Sequence, residues 1–313
     1  MNRYKYILII IILLLPLQLN ALGRISASIP EMGEIVKVYD IGEGSFEVKV
    51  RTDIKGNVPY GLFNGPMSFK VKKGVFYLLD SLNRRIHITK NDKSMVIEYD
   101  KNILASDFTI LKTSFALTSV KTAKIHIIDI KGKTLSSFGE SGNEDGQFIQ
   151  MDFIGHDTLE NILVLDYGNK GRISRFSKDH KFSGYERKGA SLFSDNDNIR
   201  YVTEFHRDTG FFVVYKCGMD GTLRDPLYKF PQDGRGSIDV IGADLDNNIY
   251  IKVFNPPLMS IYKISPQGKL IKTFEAHNDP GMDFNRYFTL DEITGEVYSI
   301  FYREKKIHIS RLK

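Results

Sequence analysis

Three aspartates, Asp80, Asp129 and Asp166, each end or follow a run of apolar, strand-forming residues, and Asp80 and Asp166 stand just before a polar turn. A carboxylate there can accept hydrogen bonds from turn amides. Because the residue recurs with the surrounding pattern, its expected role is structural. The same turns carry cations: Arg84, Arg85, Lys170 and Arg172, with Tyr167 beside two of them. An arginine and aromatic face would hold an anionic sugar, a peptide carboxylate or a partner protein. The competing reading pairs Arg84 with Asp80 and Arg172 with Asp166, leaving nothing free for a ligand.

The histidines are His87, His126, His156, His180, His206, His277 and His308. His87, His126 and His308 each follow the isoleucine of a basic-Ile-His-Ile run. Strand alternation puts all three on the side opposite that isoleucine, each in its own segment. Zinc needs three or four ligands converging at about 2.1 Å, and no HxH or HxxxH cluster supplies them. His206, in Glu204-Phe205-His206-Arg207-Asp208, departs from the shared slot and is the best single functional histidine. Asn255, followed by Pro256-Pro257, sits in a rigid exposed turn and joins the candidate binding residues. Gly139-Glu140-Ser141-Gly142 lacks the Lys-Ser/Thr ending of a phosphate loop and carries repelling acids nearby. No Gly-x-Ser-x-Gly elbow is present, so no catalytic residue is assigned.

The elements that must position these residues are short. Runs of Val, Ile, Tyr and Phe alternate with Gly, Asn, Asp and Lys turns, and after the first residues no long helical period appears. Arg85-Ile86-His87-Ile88, Lys124-Ile125-His126-Ile127, Arg172-Ile173-Ser174-Arg175, Ser260-Ile261-Tyr262-Lys263 and Lys306-Ile307-His308-Ile309 mark successive copies, with Phe211 to Tyr215 a less faithful one. The steps are about 40 to 48 residues, the range of four-stranded propeller blades. Six units result, at 55–100, 101–139, 140–188, 189–233, 234–276 and 277–313. The last lacks an outer strand. The stretch Gly33 to Arg51 is left over, with Ile35–Tyr39 and Phe46–Val50 both strand-like, and one of them can close the ring and remove an open sheet edge. The expectation is an all-β, six-bladed propeller in one domain over 22–313.

Composition agrees with a globular chain: 42% hydrophobic and 26% charged over 313 residues. The formal charge is +5, with Arg3 and Lys5 in the leader. No basic block occurs, which argues against nucleic acid as a partner. Cys217 is the one cysteine, so no intrachain disulfide forms, and its strand-like setting reads as buried. Residues 1–21 have the layout of a secretory signal peptide: a basic start, the apolar run Ile7 to Leu15, and a small residue at Ala21. The run is short of the roughly 20 residues of a membrane span. The mature chain is expected outside the cytoplasm (periplasmic, cell-surface or secreted), without a membrane span and as a monomer.

Gly146-Gln147-Phe148, Leu163-Val164-Leu165-Asp166, Gly168-Asn169 and Arg172-Ile173 resemble the NHL-repeat family of six-bladed propellers, and Asp80 to Ile86 fits the same pattern with one inserted residue. The leader adds a resemblance to exported bacterial propellers. The resemblance implies a fold more than an activity. The expected function is a binding or scaffolding module for a protein, peptide or glycan on one face of the ring, needing no cofactor. The alternative it implies is a lactonase-like hydrolase or lyase with calcium or another divalent metal in the central channel. Asp152, Asp157, Asp195, Asn196, Asp197, Asp244 and Asp246 would be the oxygen donors to inspect.

Overall fold

A computed structural model describes residues 33–51, 65–91, 93–169, 171–186, 190–194, 200–218, 222–231, 236–255, 258–276 and 284–313. The leader, Lys170, Asp195 to Asp197 and His277 lie outside them. Residues 33–313 form one compact unit.

Six four-stranded antiparallel sheets follow one another along the chain. Their innermost strands are Ser68–Lys72, Ala105–Ile110, Met151–His156, Ala190–Ser194, Ser237–Ala243 and Phe288–Asp291, which define blades 1 to 6. Each innermost strand touches the next in cyclic order, and that of blade 6 touches that of blade 1. The fold is the six-bladed β-propeller. The outer strand of blade 6 is Glu34–Asp40, paired antiparallel with Lys306–Arg311. The ring is thus closed by a strand from the other end of the chain. The second leftover run does not form a strand: Val48 makes only an isolated bridge to Ile41, and its buried side chain packs with Tyr39 and Phe69. Its backbone is spent elsewhere, since the Glu47 carbonyl accepts from Arg85, and Val48 donates to the Asp40 carbonyl and accepts from the Gly42 amide.

The apolar runs are nearly continuous because each blade is buried on both faces. Adjacent residues point to opposite sides of a sheet. Leu78 therefore packs between blades 6 and 1 while Leu79 packs between blades 1 and 2. In the same way Leu117 faces blade 1 and Ala116 faces blade 3. Six buried clusters result, one at each blade boundary. Each large side chain so buried contributes roughly 1.5–3 kcal/mol. Among the described residues, the apolar cluster between blades 3 and 4 has Leu163, Ile173, Val202 and Cys217 as its buried members. A buried ionic group supplements it: Arg175 lies 2.8 Å from Asp157 and 3.5 Å from Glu186, with Arg200 beside both carboxylates.

Aspartates recur where hairpins close. Asp129, Asp157 and Asp244 each receive the backbone N–H groups two and four residues on. The residue three positions on has positive φ: Gly132, Glu160 and Asn247. The side chain here replaces the backbone acceptor that the turn lacks. Asp157 and Asp244 also take the side-chain amides of Asn161 and Asn248. Two of the inspected oxygen donors are therefore spent in turns.

Candidate functional site

The second strands end at Asp80, Ser119, Asp166, His206, Asn255 and Arg303. Equivalent turns of a propeller lie at one end of the ring, so the turns after these residues share one face. His206 and Asn255 thus occupy the slot that holds Asp80 and Asp166 in blades 1 and 3.

The structure separates the candidates sharply. Asp80 is fully buried and receives Arg85 Nε at 3.2 Å and Asn83 Nδ2 at 2.8 Å. Arg85, and not Arg84, is its ionic partner. Arg84 turns away with φ 59° and donates to the carbonyls of Ser81, Leu82 and Lys101. Arg172 lies 3.8 Å from the buried Asp166, donates to the carbonyls of Asn143 and Gln147, and stacks on Tyr185. His206 Nε2 meets the Tyr215 hydroxyl at 2.9 Å on blade 4. Asn255 ends its strand, with its side chain outside the description. Of the described candidate binding residues, Tyr167 alone lines the central channel, with Asp157 and Asp244 of the inspected oxygen donors. The acidic turn Glu140 to Asp145 folds back on blade 3, where Asp145 accepts from the Tyr185 hydroxyl.

The channel is a cavity of about 510 Å³ between the innermost strands. The segment before blade 6 crosses it. Asn285 and Arg286 donate their backbone N–H groups to the carbonyl of Met67, beside blade 1. Their side chains then reach blades 2 and 3: Asn285 Nδ2 donates to the carbonyls of Ser106 and Asp152, and Arg286 Nη2 lies 2.8 Å from Asp107. Asp107 is fully buried and also accepts from the Ser68 hydroxyl and the Ile154 amide. Burial alone would raise its pKa, but the charges of Arg286 and Lys70 and these donors hold it below the ordinary value.

On the side of the shared turns the channel presents Phe153, Tyr167 and Tyr287 with Lys252, which pairs with Asp239 at 2.7 Å. Arg286 stacks on Phe153 and Lys252 lies over Tyr287. Asp152 lies where the strand register shifts between Met151 and Ile154, within the electrostatic reach of Asp239, Lys252 and Arg286. Its carboxylate has no hydrogen bond or ion pair among the described residues. Burial, and then the charge of Asp107, push it up to about 7. The half-exposed Tyr167 phenol is pushed up to about 12 by burial and by Asp239 and Asp152.

The other end of the channel holds Lys70, Lys72, Thr109, His156 and Glu292. Lys70 is brought down to about 7, first by burial and then by Arg286. His156 is brought down to about 4 by burial and by Lys70 and Lys72, and its Nδ1 contacts the Thr109 hydroxyl at 2.9 Å. Burial raises Glu292. Sequence reading missed this half. Lys70 and Lys72 signal themselves only as alternate residues of a strand, which on an ordinary sheet is a solvated face.

No protein-family model matches the chain, and no curated protein does. Solved structures do. A gluconolactonase from Xanthomonas campestris is 12% identical, with 79% of this chain and 86% of that one covered and a TM-score of 0.53. The calcium-binding protein regucalcin from Agrobacterium tumefaciens is 10% identical over 79% of this chain and 90% of that one, with a TM-score of 0.52. A catalytically inactive virginiamycin B lyase from Staphylococcus aureus, solved with quinupristin, is 15% identical over 82% and 86%, with a TM-score of 0.51. At these identities the likeness establishes the shared propeller fold and no shared chemistry.

Proposed function

We propose that this protein is an exported binding propeller whose ligand, a peptide or glycan, enters the central channel from the face of the shared turns. The supporting observation is the lining: aromatic rings of Phe153, Tyr167 and Tyr287 set beside Lys252 and Arg286. Such rings stack on sugar faces and flat apolar groups, and the fixed cations orient a polar one. Isothermal titration of the mature chain with oligosaccharides and short peptides tests this. Binding that Tyr167→Ala weakens about tenfold at unchanged thermal stability supports it. A tight ligand indifferent to Tyr167→Ala moves the site elsewhere.

A second reading is a hydrolase or lyase with a divalent metal in the channel, as the enzyme neighbours invite. Its support is Asp152, a carboxylate close to the channel groups Asp239, Lys252 and Arg286 with no hydrogen bond or ion pair among the described residues. The rest of a donor set does not fit. Asp107 is held by Arg286 and Asp239 by Lys252. Among the described residues no three His, Cys, Asp or Glu side chains gather in metal-binding geometry, whereas calcium takes six or more oxygens. Metal analysis of the purified protein together with lactone turnover separates the readings: stoichiometric metal with turnover would replace the binding proposal.

A further inference from the structure

The channel end away from the shared turns carries an unbalanced set of cations. Ser68, Lys70 and Lys72 are alternate residues of the blade 1 inner strand and lie on one face of it. Lys70 lines the cavity and is partly buried, with its Nζ 6.0 Å from the centre of the Phe108 ring. It has no ion pair or hydrogen bond among the described residues. The charged groups acting on it are Arg286 from the crossing segment, Asp107 from blade 2, Glu292 from blade 6 and Lys72 from its own strand. Asp107 is already engaged by Arg286, Ser68 and Ile154. Glu292 is held toward its neutral form by burial. Facing Lys70 from blade 3, His156 is neutral and tied to Thr109. Among the described residues no carboxylate makes an ion pair with Lys70 or Lys72.

We infer that this chamber is a binding site for a small oxyanion, the carboxylate or phosphate group of a channel ligand, with Lys70 and Lys72 as its counter-charges. Lys70, brought down to about 7 by burial and by Arg286, is largely neutral above that pH. An arriving anion reverses that field, and Lys70 takes up a proton from solvent as the anion binds. Affinity therefore falls as pH rises above about 7, by up to tenfold per pH unit while one proton is coupled. The Thr109 hydroxyl and the neutral His156 imidazole, which share one hydrogen bond with each other, leave a single O–H or N–H between them to donate to a remaining oxygen.

The inference rests on the channel being the binding place, and it names the group that the far end would recognise. The test is titration calorimetry of the mature chain with D-glucuronate, with D-glucose as the neutral control and inorganic phosphate as a separate arm. Each is measured near pH 8 in two buffers of different ionisation enthalpy, and again near pH 5.5. Glucuronate or phosphate binding with uptake of close to one proton near pH 8 and none near pH 5.5 is the expected result. Whichever anion binds more tightly tells whether the natural group is carboxylate or phosphate. Lys70→Met weakens binding at least about tenfold, while Lys70→Arg binds without proton uptake, because a guanidinium stays charged. Binding without proton uptake, or binding unchanged in Lys70→Met, overturns the inference. So does failure of both anions to bind. If a peptide or glycan still binds in a Tyr167-dependent way, the anion site alone has failed. If Tyr167→Ala leaves every ligand's binding intact, the channel reading has failed with it.

Discussion

Arg286 and Asp107 are 179 positions apart in the chain and meet at 2.8 Å inside the ring, joining the segment that enters blade 6 to the inner strand of blade 2. Asp107 is fully buried and the Arg286 side chain is 18% exposed. A pair this enclosed adds little net stability, since desolvation consumes most of the attraction, but removing one partner strands the other. Arg286→Ala should therefore cost about 3–5 kcal/mol in urea unfolding. Arg286→Met with Asp107→Asn should cost less than the single change, which a double-mutant cycle would read directly.

The closing strand gives a second prediction. Glu34–Asp40 covers the edge of Lys306–Arg311 and buries Tyr39 against Ile307 and Ile309. A mature chain shortened to begin after Asp40 should melt at lower temperature and associate in a concentration-dependent way on size exclusion, because an unpaired edge recruits other strands. The exposed ion pair of Glu34 with Arg311 belongs to the same strand pair and should matter little. Glu34→Gln should leave the melting temperature unchanged.

Blade grammar and ligand recognition should separate by readout. Asp80→Ala leaves the nearly buried Arg85 without its carboxylate and deprives Asn83 of its acceptor. It should lower unfolding free energy by about 3 kcal/mol, as an uncompensated buried charge does. Tyr167 is 51% exposed and holds no core contact. Tyr167→Ala should leave unfolding within about 0.5 kcal/mol of the parent while weakening ligand binding.

The blade number, the blade limits and the closing strand were legible because both faces of every sheet are buried. Burial on two sides writes a near-continuous apolar run, as at Val75–Asp80 and Ile162–Asp166, and the turns between such runs recur at blade spacing. The channel was not legible. Its lining comes from residues such as Lys70, Phe153, Tyr167, Lys252 and Arg286, drawn from separate blades and joined only by ring closure. Two are further hidden by local irregularity. Phe153 lies within a register shift of its strand, and Arg286 lies outside the regular strands, in the connection between blades 5 and 6. The turn arginines were easy to see. Arg85 and Arg172 face buried aspartates and backbone carbonyls of their own neighbourhoods, which is a packing role.

Asp152 yields the sharpest pH test. Its carboxyl titrates near 7 in the native state, raised by burial and by Asp107, whereas the unfolded chain releases that proton near the ordinary carboxylate value of about 4. Between those values the native state holds a proton that the unfolded state has lost, so raising the pH favours unfolding through that window and has no further effect above it. His156 works in the opposite sense over part of the same range. Its native value of about 4 means that the unfolded chain binds the extra proton, so its contribution rises with pH up to about 6.5. The two slopes partly cancel in the parent protein, and its own stability profile conceals both. Asp152→Asn removes one of them. The variant should match the parent near pH 4, gain on it steadily to pH 7, and keep a constant advantage of about 1–3 kcal/mol above that. Denaturant unfolding of both proteins at matched pH reads the difference. An advantage that is the same at pH 4 and pH 8 would place the Asp152 carboxyl at an ordinary pKa and remove the physical basis for treating it as a channel group awaiting a partner.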